Sequence, residues 1–225
     1  MAERTLPAAA KANGVAPPEL VRCTWPGLAD PLYTAYHDAE WGVPHADETR
    51  LFEKLILEGF QAGLSWLTIL RKREQFRAAF QGFNADKIAR YGDRDVARLM
   101  ADPGIVRNKL KVEGAILSAQ AYLKLREQTT LAALLWSALP KGTVTNAYAR
   151  HGDVPAQTEA SVRISKLLKA RGFRFAGPTT IYAFMQATGM VNDHLASCHR
   201  HGPCAKLQRA FAVPVTTTSQ RAGAQ

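Results

Sequence analysis

The chain has 225 residues, of which 47% are hydrophobic, a composition typical of globular proteins that excludes a disordered chain. Lysine and arginine number 29 against 19 acidic residues. The resulting net charge of +10 favours a polyanionic partner, most simply nucleic acid, over plain solubility charge. No apolar run reaches the roughly 18 residues of a membrane helix, and the N-terminus lacks the apolar block of a signal peptide. We therefore expect a cytoplasmic protein with no membrane partner.

The two ends of the sequence show little periodicity. We interpret residues 1–20 as a flexible tail, residues 21–212 as one domain and residues 213–225 as a second tail. The three cysteines are an odd number in a chain with no secretion signal, which argues against a disulfide framework. Metal binding or burial explains them better.

Capping residues and apolar spacing predict eight to ten short helices with no convincing run of strands, and therefore an all-α fold. Proline after Asp30 suits the first position of a helix. Further helix starts are predicted after Asp47, Ser65, Asn84 and Asp93. We expect one compact unit with two lobes.

The second half of the chain continues the helical pattern. A helix ending near residue 125 is predicted to bury one face through Val106, Leu110 and Leu117. Further helices are predicted within residues 131–135, 161–170 and 179–188, with a last short one ending near Phe211. Residues 144–157 have a weak pattern and are predicted to form a long loop.

Glu58 stands out within the apolar segment from residue 55 to residue 70. Leu51, Leu55 and Glu58 follow at i, i+4 and i+7, which places the carboxylate on the apolar face of its helix. A buried carboxylate needs a partner or borders a cavity. Trp66 follows after a break at Gly63, so these residues indicate a pocket for a flat, polar or cationic ligand. The alternative is a helix end with one satisfied carboxylate.

Several aromatic residues accompany this carboxylate. Aromatic faces stack on nucleobases and attract cations, although core packing is the default role of any single ring. Five of them fall within 42 residues and form a candidate set around Glu58: Trp25, Tyr33, Tyr36, Trp41 and Trp66.

Two cysteines and two histidines are candidate metal ligands. His194 and Cys198 are four residues apart, so on a helix they would share a face. Cys23 and His37 would complete a tetrahedral site that joins the N-terminal and C-terminal segments, which is typical of structural zinc. The alternative is a buried cysteine with unrelated histidines, and His199, His201 and Cys204 are weaker candidate ligands.

A Pro-Gly turn near residues 102–108 separates two helical patterns. Such a turn can present backbone N–H groups and a helix N-terminus to a phosphate. Pro103, Gly104, Arg107 and Lys109 are therefore candidate contacts to a DNA backbone, and Lys111 follows them directly. The alternative is an ordinary connection between helices.

Taken together, these residues resemble the DNA-3-methyladenine glycosylase I family of helix-hairpin-helix base-excision enzymes. The resemblance runs from about residue 22 to residue 204. Five stretches carry it: CTW from Cys23, DPLYTAYHDAEWGVP from Asp30, LEGFQAGLSW from Leu57, RGFRFAGPTTIYAF from Arg171 and FMQATGMVNDHLASC from Phe184.

The resemblance implies a monomer that excises 3-methyladenine from alkylated double-stranded DNA and associates with the nucleoid during repair. It implies one structural zinc ion on the four ligands above. In its base pocket, Glu58 and Tyr36 would make polar contacts, Trp66 would stack, and catalysis would rely on Glu58. Gly63 and Leu64 match the segment that fills the gap left in the duplex.

Two other classes of protein remain as alternatives. One is a zinc hydrolase, in which water replaces one of the four protein ligands. The other is a non-catalytic module of the same fold that binds alkylation damage in DNA.

Overall fold

The computed structural model describes residues 20–139 and 141–215, so the predicted tails lie mostly outside the described residues. Within the described ranges the chain is helical apart from turns and one pair of very short strands, which confirms the all-α prediction. No helix in these ranges has the length and apolarity needed to cross a membrane. The elements in chain order are α1 (Pro31–Ala39), α2 (Glu48–Gln61), α3 (Trp66–Ala79), α4 (Ala85–Ile88), α5 (Asp93–Ala101), α6 (Lys109–Arg126), α7 (Leu131–Ser137), β1 (Val144–Thr145), α8 (Glu159–Ala170), α9 (Pro178–Ala187), β2 (Val191–Asn192) and α10 (His201–Ala210).

Side-chain caps determine where most of the early helices begin. The side chains of Asp30, Asp47, Ser65 and Asn84 each accept a hydrogen bond from a backbone N–H in the first turn that follows, as predicted. Asp93 was predicted as a cap but is the first residue of α5. Its predecessor Gly92 is the N-cap, and the side chain of Asp95 accepts a hydrogen bond from the Gly92 N–H.

Helix α2 lies at the centre of the fold. It packs against α6 on one side and α9 on the other, and it also contacts α3 and α7. Helices α4 and α5 pack against α6, whereas α8 packs against α9. α2 therefore joins two groups of helices, and a residue on its buried face can contribute to a site between them.

The prediction for the apolar face of α6 is wrong. The helix begins at Lys109, so Val106 precedes it, and the side chains of Leu110 and Leu117 are 70% and 42% exposed. The buried face instead contains Val112 and three further residues at helical spacing: Ala115, Ala119 and Tyr122. The alanines allow neighbouring elements to approach closely, and a pattern based on large aliphatic residues does not detect such a face.

The segment predicted as a long loop contains regular structure. β1 pairs in parallel with β2, with Val144 opposite Val191 and Thr145 opposite Asn192. A short 3₁₀ turn follows at His151–Asp153. Strands of two residues are too short to show alternation in a sequence. Their pairing places this segment beside the predicted metal ligand His194.

Candidate active site and metal centre

A cavity of about 250 Å³ opens between α1, α2, the start of α3 and α9. This is close to the lower end of the roughly 300–1,000 Å³ found for small-molecule sites. All six residues predicted for the base pocket line this cavity: Trp25, Tyr33, Tyr36, Trp41, Glu58 and Trp66. The fold thus brings together residues from the first irregular segment, the turn after α1 and three helices.

The aromatic rings form a continuous wall around the cavity. The ring centroids of Tyr36 and Trp66 are 5.6 Å apart, and those of Trp25 and Tyr33 are 5.3 Å apart. Trp41 meets Trp25 edge to face at 4.5 Å. Because these rings hold one another in place, the wall is preorganised to receive a flat ligand.

Glu58 is the acid of this cavity, and its side chain is only 4% exposed. Among the described residues, none of the hydrogen bonds ends on its carboxylate. Burial raises the pKa of Glu58 to about 7, and the nearby ammonium of Lys54 opposes this shift. A cationic ligand would favour the ionised form, so the site is suited to recognise positive charge.

Lys54 was not identified from the sequence. It lies one helical turn before Glu58, and its Nζ sits 4.3 Å from the ring centroid of Trp66 and 4.8 Å from that of Tyr36. It also donates a 3.4 Å hydrogen bond to the Tyr36 hydroxyl. Burial lowers the pKa of Lys54 to about 8, although Glu58 counteracts this. The i, i+4 spacing of Lys54 and Glu58 was the available sequence evidence.

Asp193 is a second acid at the cavity that the sequence did not reveal. Its carboxylate accepts hydrogen bonds from the Asn146 amide at 2.7 Å, the Tyr182 hydroxyl at 2.6 Å and the Gln186 amide at 2.7 Å. These three donors fix its orientation. Asp193 directly precedes the predicted ligand His194, which was the one indication of its position.

The four predicted metal ligands converge on one point. Cys23, His37, His194 and Cys198 are all buried, and their donor atoms lie within 4.8 Å of one another. The Cys198 Sγ is 3.6 Å from the His37 Nε2 and 3.5 Å from the His194 Nδ1. The cluster has the composition of a closed metal site, since four protein donors complete a tetrahedron.

The surroundings of the two imidazoles fit a metal ion. The His37 Nδ1 donates to the Asp38 carboxylate at 2.7 Å, and the His194 Nε2 donates to the Trp41 carbonyl at 3.0 Å. In each ring the nitrogen that faces the thiols therefore carries the free lone pair. Burial also lowers the pKa of His194, which keeps this imidazole neutral.

One premise of the metal prediction is wrong. His194 and Cys198 lie in an irregular segment rather than on a helix, and a turn closed by the Cys198 N–H and the Leu195 carbonyl at 2.8 Å lies between them. The lower-ranked candidates lie outside the quartet. The His201 Nε2 is 2.7 Å from the Asn146 carbonyl, and the Cys204 Sγ is 3.9 Å from the Trp41 carbonyl.

The predicted gap-filling residues lie in the short turn between α2 and α3. Gly63 has φ +82°, a left-handed conformation that favours glycine, and a Cβ there would have no neighbour within 4 Å. The side chain of Leu64 is 41% exposed. This turn projects an apolar residue directly after the helix that carries Glu58.

The predicted hairpin connects α5 and α6. The Asp102 carboxylate accepts the Gly104 N–H at 2.7 Å, and a Cβ at Gly104 would lie 2.9 Å from that same oxygen. Asn108 caps α6, while Pro103, Arg107 and Lys109 are exposed. The geometry leaves these three residues accessible to a partner.

The sequence matches the family model described as "Methyladenine glycosylase" over residues 25–201. The chain is 46% identical to DNA-3-methyladenine glycosylase 1 of Escherichia coli strain K12 over 178 residues, which cover 79% of this chain and 95% of that protein. A crystal structure of 3-methyladenine DNA glycosylase I superposes with a TM-score of 0.77 at 44% identity, covering 80% of this chain and all of the other.

A structure that describes the basis of 3-methyladenine recognition by the Staphylococcus aureus enzyme gives a TM-score of 0.74 at 38% identity. It covers 76% of this chain and 92% of the other. Identity at this level over nearly the full length of the relatives, together with the same helical fold, establishes the relationship. The chain belongs to the methyladenine glycosylase family.

Proposed function

We propose that this protein is a DNA glycosylase that releases 3-methyladenine from alkylated double-stranded DNA. The observation that carries this proposal is the convergence of six predicted pocket residues on one cavity in a chain of the methyladenine glycosylase family. The relatives named above are DNA-3-methyladenine glycosylases, and one of them recognises 3-methyladenine. The cavity is complete within one chain, so we propose that the protein acts as a monomer.

The chemistry of the substrate explains why a buried acid suits this pocket. Methylation of adenine at N3 gives the base a positive charge and weakens its bond to the sugar. Extrusion of the base from the stack costs a few kcal/mol, and stacking on aromatic rings offsets part of that cost. In the proposed site Trp66 stacks on the base, with Trp25, Tyr33 and Trp41 completing the wall, and Tyr36 contacts its polar edge.

Glu58 is the proposed catalytic residue. Its ionised carboxylate stabilises the cationic base in the pocket, and neutral adenine gains less from the same contact. During hydrolysis the bond between the sugar C1′ and the base nitrogen breaks, and its electron pair leaves with the base, which becomes neutral. Water adds to C1′ and loses a proton. A leaving group that is already cationic needs little help from a general acid.

The exposed turn and the hairpin are the proposed DNA contacts. Gly63 and Leu64 fill the space that the extruded base leaves in the duplex. The hairpin at Pro103 and Gly104 brings the N-terminal end of α6 to a phosphate, with Arg107 and Lys109 adding positive charge. These contacts are supported by the exposure of Leu64, Arg107 and Lys109 and by the positive net charge.

We further propose that the metal held by the Cys23, His37, His194 and Cys198 cluster is zinc. Two thiolates and two imidazoles are the donor set that structural zinc sites use. Four protein ligands leave no position for a metal-bound water, so the ion would stabilise the fold. This assignment disfavours the zinc hydrolase alternative.

Incubation of the protein with methylated duplex DNA, followed by chromatography of the released bases, tests the proposed activity. We expect free 3-methyladenine to appear in a time-dependent manner. Tight binding to alkylated DNA without base release would instead identify a damage-binding module. A loss of activity on metal removal, with the fold intact, would favour the hydrolase.

A further inference from the structure

Lys111 is oriented differently from the neighbouring basic residues of the hairpin. Its position next to Arg107 and Lys109 suggests a third phosphate contact. In the fold its ammonium group turns towards α2 and donates to the Phe60 carbonyl at 2.9 Å and the Ala62 carbonyl at 2.6 Å. These carbonyls belong to the C-terminal end of α2, where the last groups of a helix otherwise lack an internal partner.

The same residue is attached to the hairpin through its backbone. The Asn108 side chain, which caps α6, accepts the Lys111 N–H at 3.1 Å. Lys111 therefore contacts the cap of the hairpin helix at one end and the start of the turn that carries Gly63 and Leu64 at the other. One side chain spans the two elements proposed to contact DNA.

The helices on either side of this bridge are packed closely. A Cβ on Gly114 would lie 2.5 Å from the Phe175 ring, and a Cβ on Gly59 would lie 3.0 Å from the Phe175 Cβ. The Phe175 ring thus fills the space between α2 and α6 beside Lys111. Because a side chain at either glycine would collide with Phe175, α2 and α6 pack closely beside the lysine.

A second lysine ties the other side of the turn to the hairpin. Lys72, on α3, donates from its Nζ to the Pro103 carbonyl at 2.8 Å. The helices before and after the turn are therefore both attached to the hairpin. Lys111 is the link that reaches the turn itself, through the Ala62 carbonyl.

We propose that Lys111 is a positioning residue that holds the turn of Gly63 and Leu64 in register with the phosphate-anchoring hairpin. The inference rests on the proposed function. When the hairpin engages the backbone, the bridge sets where Leu64 enters the duplex. Lys111 would thus act on extrusion of the base and leave the pocket itself unchanged.

The test compares Lys111→Met, which keeps the apolar stem and removes the ammonium, with Lys111→Arg, which restores donors. Lys124→Met, an exposed residue in the last turn of the same helix, is the matched control. Single-turnover release of 3-methyladenine is measured from duplex DNA and from single-stranded DNA of the same sequence. Binding of the free base is followed by tryptophan fluorescence.

We expect Lys111→Met to slow release from duplex DNA roughly tenfold or more, because a small misplacement of a positioning group is costly. Release from single strands, which need no gap filled, and affinity for the free base should stay within about twofold of the wild type. Lys111→Arg should recover most of the duplex rate, and Lys124→Met should match the wild type.

Other outcomes would overturn the proposal. An equal loss on both substrates would indicate a damaged pocket or fold, and an unchanged duplex rate would show that the bridge is not needed. If Lys111 contacts a phosphate directly, Lys111→Met should reduce the salt dependence of duplex binding by about one unit of log–log slope, whereas loss of a positioning residue leaves the slope unchanged. Failure of the wild-type protein to release any base would refute the proposed function itself.

Discussion

Near neutral pH the charge of Glu58 is sensitive to small changes, because burial places its pKa at about 7. This value lies above the usual pKa of a carboxyl group. The folded protein therefore loses stability as the pH rises towards and past 7 and Glu58 ionises. Under the proposed function this equilibrium is useful, because a cationic base supplies a positive charge that stabilises the ionised carboxylate.

Glu58→Gln keeps the shape of the side chain and removes its charge. We expect normal folding, because the substitution removes a buried charge, and near-normal affinity for undamaged duplex. Release of 3-methyladenine should fall at least about tenfold, equivalent to about 1.4 kcal/mol of transition-state stabilisation. Glu74→Gln, the same substitution at an exposed residue, is the control. A wild-type single-turnover rate in Glu58→Gln would make this carboxylate merely structural.

The ammonium of Lys54 lowers the pKa of Glu58, and Lys54→Met removes this ammonium. Without it, the pKa of Glu58 should rise further, so that the active ionised form is lost at a higher pH. We expect the acid limb of the pH–rate profile, measured between about pH 5 and 9, to move upward. Lys54→Arg keeps the charge and should leave the limb in place. An unmoved limb in Lys54→Met would separate this lysine from the ionisation of Glu58.

At the scale of elements, the metal cluster joins segments distant in sequence. Cys23 and α1 supply two ligands, and the turn after β2 supplies the other two. Binding of the proposed metal ion would therefore contribute free energy to folding. The neighbouring residues Trp25, Trp41 and Asp193 line the cavity, so a metal ion on the cluster would also secure one side of the proposed base pocket.

Cys198→Ala should lower the metal content and the melting temperature together, because three ligands bind zinc more weakly than four. Cys204→Ala is a matched control, since Cys204 is a buried thiol outside the quartet. It should keep one metal ion per chain. Elemental analysis of the purified proteins provides the measurement, and wild-type protein purified without zinc would refute the assignment.

Local features of the sequence predicted the elements well, whereas features that depend on distant neighbours were missed. The caps at Asp30, Asp47 and Ser65 act within one turn, so their residue types suffice. The burial of α6 depends on what packs against its alanines, and β1 depends on β2, 47 positions away. Lys54 contacts the pocket residues Tyr36 and Trp66, and Asp193 lines the pocket, only because other elements surround them.

The predicted pocket and metal residues were found for a different reason. Each residue alone permitted an ordinary structural interpretation, and the family resemblance connected them. The structure brings both sets together, while their roles in base binding, metal binding and DNA contact remain predictions. Lys111 shows that neighbouring basic residues need not share a role. It follows two exposed basic residues, yet its ammonium turns to the end of α2.

At the scale of the whole molecule, the net charge of +10 predicts that binding to DNA weakens as the salt concentration rises. Affinity for duplex DNA should fall with salt by a log–log slope of about −0.9 per neutralised phosphate. Arg107→Glu or Lys109→Glu should weaken binding to damaged and undamaged duplex alike, because phosphate contacts carry no information about the base. Fluorescence anisotropy over a salt series measures this, and salt-independent binding would contradict it.

The metal cluster also has a consequence for the order of assembly on the ribosome. Trp25, Tyr33 and Trp41 are synthesised early, yet the ligands that secure their segment come at positions 194 and 198. While the nascent chain is being made, the early aromatic residues cannot be locked into their final arrangement until this late turn has emerged. The proposed capacity to bind an extruded base would therefore arise late in synthesis, after the helices that form the framework.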